Sequence, residues 1–351
     1  MTIPVVYVEG DAHRRGLQAG GELAEPIHRS LDFYRSFMEA RGFEADTLRS
    51  ALGPFREAAE QGLPHLLREI DGMAEGARAS WWELFAVNAW EELEPLLLGA
   101  PAVRGPDRCS AFAFGGTGGT ILGHNEQWYA GDAGNVAVMV AFPDKRPPFV
   151  SPTCVTSLPA VGMNAAPVAQ GIMSLTARDD RVGIPRVLVS RQSLQATTRA
   201  DAIARSTIPG RAGGYAHVFA TPGQGFIIET SASRHAVLDG FAGHTNHYLD
   251  PDLAMDDTND AAGTRLRMQR LQTLLGEDPP ATPEDAMKIL ADHQNAPESI
   301  CLHPDETEAD QAGAVLFSMV CHLEERRMWV AAGNPCIATF DEIDARGAFD
   351  A

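Results

Sequence analysis

Apolar positions recur at helical spacing through the first hundred residues and at strand-like spacing through much of the rest. After a short extended run at residues 5–8, Leu23, Ile27, Leu31, Tyr34 and Met38 line one face of a helix. Pro26 lies in its first turn or kinks it. A second helix is predicted over about 48–61. A third opens at Pro64 and runs through Leu66, Ile70 and Met73 towards Ala77. Ser80-Trp81-Trp82-Glu83 has the form of a capping box, which predicts a helix from there to about Leu93. Pro95 and Gly99-Ala100-Pro101 end it.

Beyond Gly105-Pro106 the pattern turns to strands, over 110–114, 120–124, 135–142 and 149–156, with Gly115-Gly116-Thr117-Gly118-Gly119 as the turn between the first two. Helices are predicted over 185–195 and 199–206, then strands over 214–220, 225–230 and 235–239. A helix carrying Leu266, Leu271, Leu274 and Leu275 follows, another spans 283–292, and strands at 314–321 and 327–332 close the series. A helical leader thus precedes an α+β region in which two packed sheets with helices outside are the simplest layering.

Composition bounds the function. The 351 residues are 44% hydrophobic, enough for a large core, and no low-complexity tract interrupts them. Net charge is −19, with 18 acidic and 11 basic residues up to Arg108, so the acidity is shared by both parts. A duplex binder needs a basic face, so nucleic acid is not an expected partner. The N-terminus has neither a basic n-region nor a long apolar core. The longest apolar runs, such as 136–142, are strand-length, so a cytoplasmic protein without a membrane partner is expected. The five cysteines, 109, 154, 301, 321 and 336, are odd in number and lack a Cys-x-x-Cys pair, which gives neither a disulfide framework nor a zinc ribbon.

The candidate chemistry centres on Gly105-Pro106-Asp107-Arg108-Cys109-Ser110, where a loop enters a strand and places Cys109 at the open end of a sheet. A break between Arg108 and Cys109 would give one residue both a thiol nucleophile and an α-amine, whose pKa of about 7.7–8.0 suits a base near neutrality. Folding the hairpin about Thr117 sets Cys109 opposite Asn125, in the run His124-Asn125-Glu126-Gln127. A slip of one residue exchanges faces, so spacing leaves open whether Glu126 or Gln127 faces the thiol. A second polar cluster, His244-Thr245-Asn246-His247, offers an amide that could donate to an oxyanion. Its histidines lack the spacing and carboxylates of a metal set, and no metal is expected. Thr264-Arg265-Leu266-Arg267 opens a helix from which one arginine could turn towards the thiolate or a substrate carboxylate.

Together these motifs resemble the acyl-CoA:6-aminopenicillanate acyltransferases, also called isopenicillin-N acyltransferases. These are N-terminal-nucleophile (Ntn) proteins related to the choloylglycine and penicillin V hydrolases. The resemblance rests on Ile70-Asp71-Gly72-Met73-Ala74-Glu75-Gly76-Ala77, Trp82-Glu83-Leu84 with Asn88, Arg108-Cys109-Ser110, and Gly123-His124-Asn125-Glu126-Gln127-Trp128. It continues through Gly162-Met163-Asn164, Gly183-Ile184-Pro185 with Arg191, His244-Thr245-Asn246-His247, and Phe317-Ser318-Met319-Val320 to Cys336.

The resemblance implies a four-layer αββα Ntn sandwich and self-cleavage between Arg108 and Cys109. Residues 1–108 would stay associated as a leader with a 109–351 catalytic core. It implies Cys109 as nucleophile and Asn246 as oxyanion donor, with Asn164 lining the site and Arg265 near the cysteine. Relatives usually carry an aspartate at the position of Gln127, and a more polar, Gly-containing turn where this chain has Ala165-Ala166-Pro167. The expected function is acyl transfer through a cysteinyl thioester, from a small-molecule acyl amide or acyl thioester to water or an amine, with amide hydrolysis favoured. No cofactor is implied. Two alternatives stand beside it: a ligand-binding protein on the same fold without the chemistry, and a papain-like pair of Cys109 with His124 or His247 that needs no cleavage.

Overall fold

In the computed structural model, which describes residues 3–99, 109–240, 242–258, 262–305, 307 and 309–350, a first strand β1 (Val5–Gly10) leads into six helices. These are α1 (Ala12–Glu22), α2 (Ala24–Ala40), α3 (Ala45–Gly62), α4 (Pro64–Ala77), α5 (Trp81–Asn88) and α6 (Trp90–Leu98). Strands follow: β2 (Ser110–Gly116), β3 (Gly119–Tyr129), β4 (Val136–Pro143), β5 (Phe149–Cys154), β6 (Gly162–Asn164) and β7 (Ala169–Leu175). After α7 (Arg186–Ser193) and α8 (Arg199–Ser206) come β8 (Gly214–Thr221), β9 (Gln224–Thr230), β10 (His235–Leu238) and β11 (Ala242–His244). Helices α9 (Pro251–Ala254), α10 (Ala262–Glu277) and α11 (Pro283–Leu290) precede β12 (Gly313–His322), β13 (Arg327–Ala332), β14 (Asp341–Ile343) and α12 (Ala345–Phe349).

The strands form an eight-stranded sheet, β1-β4-β5-β6-β7-β8-β9-β10, and a six-stranded sheet, β11-β2-β3-β12-β13-β14. Their alternation makes four layers. Val138, Val140, Val150, Met173 and Val218 of the first sheet meet Ala111, Ala113, Leu122, Met319 and Val330 of the second in one shared core. The neighbours of these residues point the other way. Ala137, Met139 and Ala141 pack under leader residues such as Leu31, Phe55 and Ile70. Phe112, Ile121 and Val320 pack under Leu271, Leu275 and Leu290 of α10 and α11. The architecture is therefore the expected αββα sandwich with an N-terminal helical leader.

The leader is built into this frame. β1 pairs in parallel with β4, Val5 against Val138, so one strand of the large sheet comes from before Cys109. α1 and α4 cross at backbone contact. A Cβ on Gly16 would lie 2.0 Å from the Glu69 carbonyl oxygen, and one on Gly72 would lie 2.1 Å from that of His13. This is the physical content of the Ile70–Ala77 motif, since no side chain fits where the two backbones touch. Glu69, on the same helix, is buried between Arg15 at 2.8 Å and Arg191 of α7 at 3.1 Å.

Several expectations are corrected. Ser80 makes no side-chain cap, and Glu83 instead binds Arg35 with oxygens 2.6 and 3.0 Å from its guanidinium. The helix beginning there breaks at Ala89, and Pro95 sits inside α6 rather than ending a helix. β7, a central strand, lacks the alternation that marks a strand in sequence, because six of its seven residues are buried. Among the described residues no helix is long and apolar enough to cross a membrane.

Candidate active site

Register decides which side chains meet Cys109. β2 and β3 pair with Ser110 opposite Asn125 and Ala111 opposite His124. The hairpin is thus one residue out from the Cys109–Asn125 pairing expected from the turn, and one step beyond Ser110 brings Cys109 against Glu126. Directly opposed residues share a face, so Cys109, Glu126 and His124 point inward between the sheets. Asn125 and Gln127 point outward.

The contacts follow that division. Glu126 Oε1 lies 3.7 Å from Cys109 Sγ, and Glu126 Oε2 lies 3.0 Å from His124 Nε2. Gln127 reaches the thiol only through its backbone, whose N–H donates to Sγ at 3.3 Å. Its side-chain amide donates outward to the Ile300 carbonyl at 2.8 Å. Asn125 likewise donates outward, to the carbonyls of Leu290 at 2.9 Å and Ile300 at 3.0 Å, and accepts from Ser318 at 2.6 Å. The carboxylate beside the thiol therefore belongs to Glu126, and Gln127 and Asn125 fasten the back of β3. Cys109 is 3% exposed, buried in the inter-sheet core rather than open at a sheet end. Arg108, the other half of the expected cleavage site, lies outside the described residues.

A second correction concerns the arginine. Arg265 is exposed on α10, whereas Arg267, two residues on, is buried. Arg267 Nη1 donates to the Cys109 carbonyl at 3.0 Å and to Asn246 Oδ1 at 3.3 Å, and Nη2 donates to the same Oδ1 at 3.2 Å. A guanidinium has donors only, so it fixes the Asn246 amide with its oxygen towards Arg267 and its NH2 away. That NH2 lies 3.3 Å from the Ser174 carbonyl.

The loop bearing Asn246 is clamped by a residue that the sequence reading passed over. Glu229, fully buried at the end of β9, holds His244 Nε2 at 2.7 Å and accepts from the backbone N–H of Leu249 at 2.6 Å and of Asp250 at 2.9 Å. An acid following Phe226-Ile227-Ile228 in a core strand was the available signal. His247 belongs to this clamp, with Nδ1 3.0 Å from Thr264 Oγ1. Burial, then the charges of His244 and Arg265, push it down to about 4, so it is neutral near pH 7. Asn164 is brought nowhere near the thiol's contacts. It caps the end of α7 by donating to Leu194 and Ala196 at 2.8 and 2.7 Å, and its Oδ1 accepts from Ala166 N–H at 2.9 Å.

A cavity lies on the far side of Glu126. Its walls come from the leader (Tyr34, Trp90, Glu91) and from the sheets (Trp128, Ile172, Phe317). Trp128 Nε1 donates to Tyr34 Oη at 2.8 Å, joining the two parts at the rim. Cys154 also lines this cavity, but burial and the carboxylates of Asp132 and Glu126 raise its thiol well above the ordinary range, so it stays protonated.

Residues 115–336 match the family model described as acyl-coenzyme A:6-aminopenicillanic acid acyl-transferase. No curated protein matches the sequence. Similar solved structures include a variant of the conjugated bile acid hydrolase from Clostridium perfringens, with TM-score 0.47 and 10% identity over 68% of this chain and 93% of that one. They also include penicillin V acylase from Agrobacterium tumefaciens, with TM-score 0.40 and 11% identity over 67% of this chain and 84% of that one.

Proposed function

Because this chain belongs to the acyl-coenzyme A:6-aminopenicillanic acid acyl-transferase family, we propose that it is a self-processing cysteine enzyme whose nucleophile is Cys109. The observation that carries this reading is the shared grip of Arg267 on the Cys109 carbonyl and Asn246 Oδ1, with Glu126 against Sγ.

In the uncut chain Cys109 has no free amine, so another group has to accept the thiol proton. Glu126 is within reach of it, with His124 behind. Sγ attacks the carbonyl carbon of residue 108, the C–N bond breaks, and Cys109 nitrogen takes the proton back from Glu126 and leaves as the α-amine. Water then hydrolyses the thioester, and the leader ends in a carboxylate. In the matured enzyme the α-amine takes the thiol proton as Sγ attacks a substrate amide. It returns the proton to the leaving amine. Asn246 Nδ2 stabilises the tetrahedral oxyanion, and one such donor is worth about 3–4 kcal/mol. Water or a second amine releases the acyl group.

The mainly apolar cavity suits an uncharged acyl chain, and Glu91 and Glu126 in its walls oppose a polyanionic thioester donor. Amide hydrolysis is accordingly the favoured outcome. The papain-like alternative is disfavoured because a carboxylate stands between His124 and Sγ, while His247 is bound to Thr264. The test is to incubate the purified protein with a panel of N-acyl amines, quench in acid and map the adduct. An acyl group on Cys109, removable by hydroxylamine, is expected. Turnover with no acyl-cysteine, or with the adduct on Cys154, overturns the proposal.

A further inference from the structure

Four side chains converge behind the second sheet, beside Ile300 and the turn after β13. The ligand atoms of His293, Cys301, His303 and Cys336 all lie within 4.8 Å of one another. Cys301 and Cys336 have their sulfurs 3.6 Å apart, too far for a disulfide bond. His293 and His303 face each other, Nε2 to Nε2, at 3.1 Å. His303 Nε2 is 3.3 Å from Cys336 Sγ and 3.8 Å from Cys301 Sγ.

Four of these separations, 3.1–3.8 Å, are close to the edges of one small tetrahedron. With Zn–S of about 2.3 Å and Zn–N of about 2.0–2.1 Å, ideal tetrahedral angles place two sulfurs ~3.8 Å apart, two nitrogens ~3.3 Å apart, and sulfur from nitrogen ~3.6 Å apart. Two imidazole nitrogens and two thiols pointing at one another otherwise leave acceptors and donors poorly matched. A cation in their midst takes one lone pair from each of the four ligand atoms. Soft sulfur with borderline nitrogen in tetrahedral array is the donor chemistry of zinc. Asn334 Nδ2 lies 3.6 Å from Cys301 Sγ, as expected of an outer N–H supporting a thiolate. The spacing rule for cysteines misses this set because Cys336 is far along the chain from Cys301 and His303.

We propose that His293, Cys301, His303 and Cys336 form a structural Zn2+ site. Coordination takes the two thiols as thiolates, releasing two protons per ion, and both histidines as neutral rings, so the site closes with no net charge. The ion ties the 293–303 segment to the turn after β13. Ile300, within that segment, receives the Asn125 and Gln127 amides. The site thereby braces the back of the strand whose front carries Glu126.

The test uses the full-length purified protein, dialysed against metal-free buffer and then titrated with Zn2+ or Co2+. Expected are one equivalent of tightly held Zn2+ per chain, a Co2+ form with the intense visible bands of a tetrahedral thiolate complex, and a lower thermal midpoint after chelation. Cys336→Ser and His293→Gln, both near the surface, lose the ion, while Cys109→Ala keeps it. Absence of stoichiometric metal together with no tetrahedral Co2+ spectrum in the wild type overturns the proposal. So does a Cys301–Cys336 disulfide in protein made under reducing conditions, or metal retained by both variants.

Discussion

Glu126 Oε1 stands 3.7 Å from Cys109 Sγ because the β2–β3 hairpin closes with Ser110, not Cys109, opposite Asn125. A single step of register moves the carboxylate from absent to adjacent. Glu126→Gln removes the proton acceptor without changing shape. It is expected to slow self-cleavage by about 10²–10⁴-fold, the range for a general acid–base group. Gln127→Leu loses the amide bond to Ile300 and is expected to lower stability by about 1 kcal/mol while leaving cleavage near its normal rate. Time courses of cleavage by mass spectrometry compare the two. Equal defects would place the catalytic carboxylate elsewhere.

Arg267 acts through other groups, holding Asn246 Oδ1 and the Cys109 carbonyl together. Asn246→Ala is expected to lower kcat by about 10²–10³-fold with little change in KM, since the lost bond forms in the transition state. Arg267→Lys keeps charge but loses the fork, and is expected to repeat that kcat-selective loss in milder form. Arg265→Ala, at an exposed position, should behave like the wild type. Steady-state kinetics of the three variants decide this, and a large kcat loss in Arg265→Ala would reverse the assignment.

The leader is held by more than its connecting peptide. Burial would raise Glu69, but Arg191 and Arg15 bring its carboxyl below the usual range. Glu69→Gln leaves two buried guanidinium groups without a counter-charge, which is expected to cost about 3–5 kcal/mol. Wild-type fragments should therefore elute as one particle in gel filtration after cleavage. In Glu69→Gln they should separate, or unfold, at lower denaturant. Unchanged co-elution and midpoint would show that the pair contributes nothing.

His217, buried in β8 with Nε2 2.9 Å from Ser190 Oγ, gives a pH signature independent of catalysis. Burial depresses it to about 3, so the folded chain refuses a proton that the unfolded chain accepts below about 6.5. The associated stability is complete above pH 6.5 and is lost as pH falls towards 3. His217→Gln lacks this loss. Its deficit relative to wild type should shrink by about 1.4 kcal/mol per pH unit below 6.5. Urea unfolding of both proteins at pH 7 and pH 5 measures it, and a constant gap would contradict it.

What the sequence disclosed followed from periodicity. α8 and β13 lie where their spacing predicts them, because each shows one buried and one exposed face or sits between clear turns. The layering was also legible, while the family resemblance, not periodicity, brought Asn246 and an arginine to Cys109. The hairpin register was not, since a Gly-rich turn accommodates either pairing. That ambiguity decided between Glu126 and Gln127. Arg265 and Arg267 could not be told apart because three arginines fall within six residues of α10, and only packing shows which one turns inward. Asn164 had a polar side chain in a matching motif, yet its bonds to Leu194 and Ala196 are those of a helix cap. β7 and Glu229 escaped because a strand buried on both faces has no alternation, and a buried acid is identified only by its partners.

The most direct measurement is the intact mass of purified wild-type protein beside Cys109→Ala. Two fragments meeting between Arg108 and Cys109 in the wild type, and one uncut chain in the variant, are expected. An uncut, fully active wild type, or a Cys109→Ala chain cut at the same bond, would contradict a nucleophile that frees its own amine.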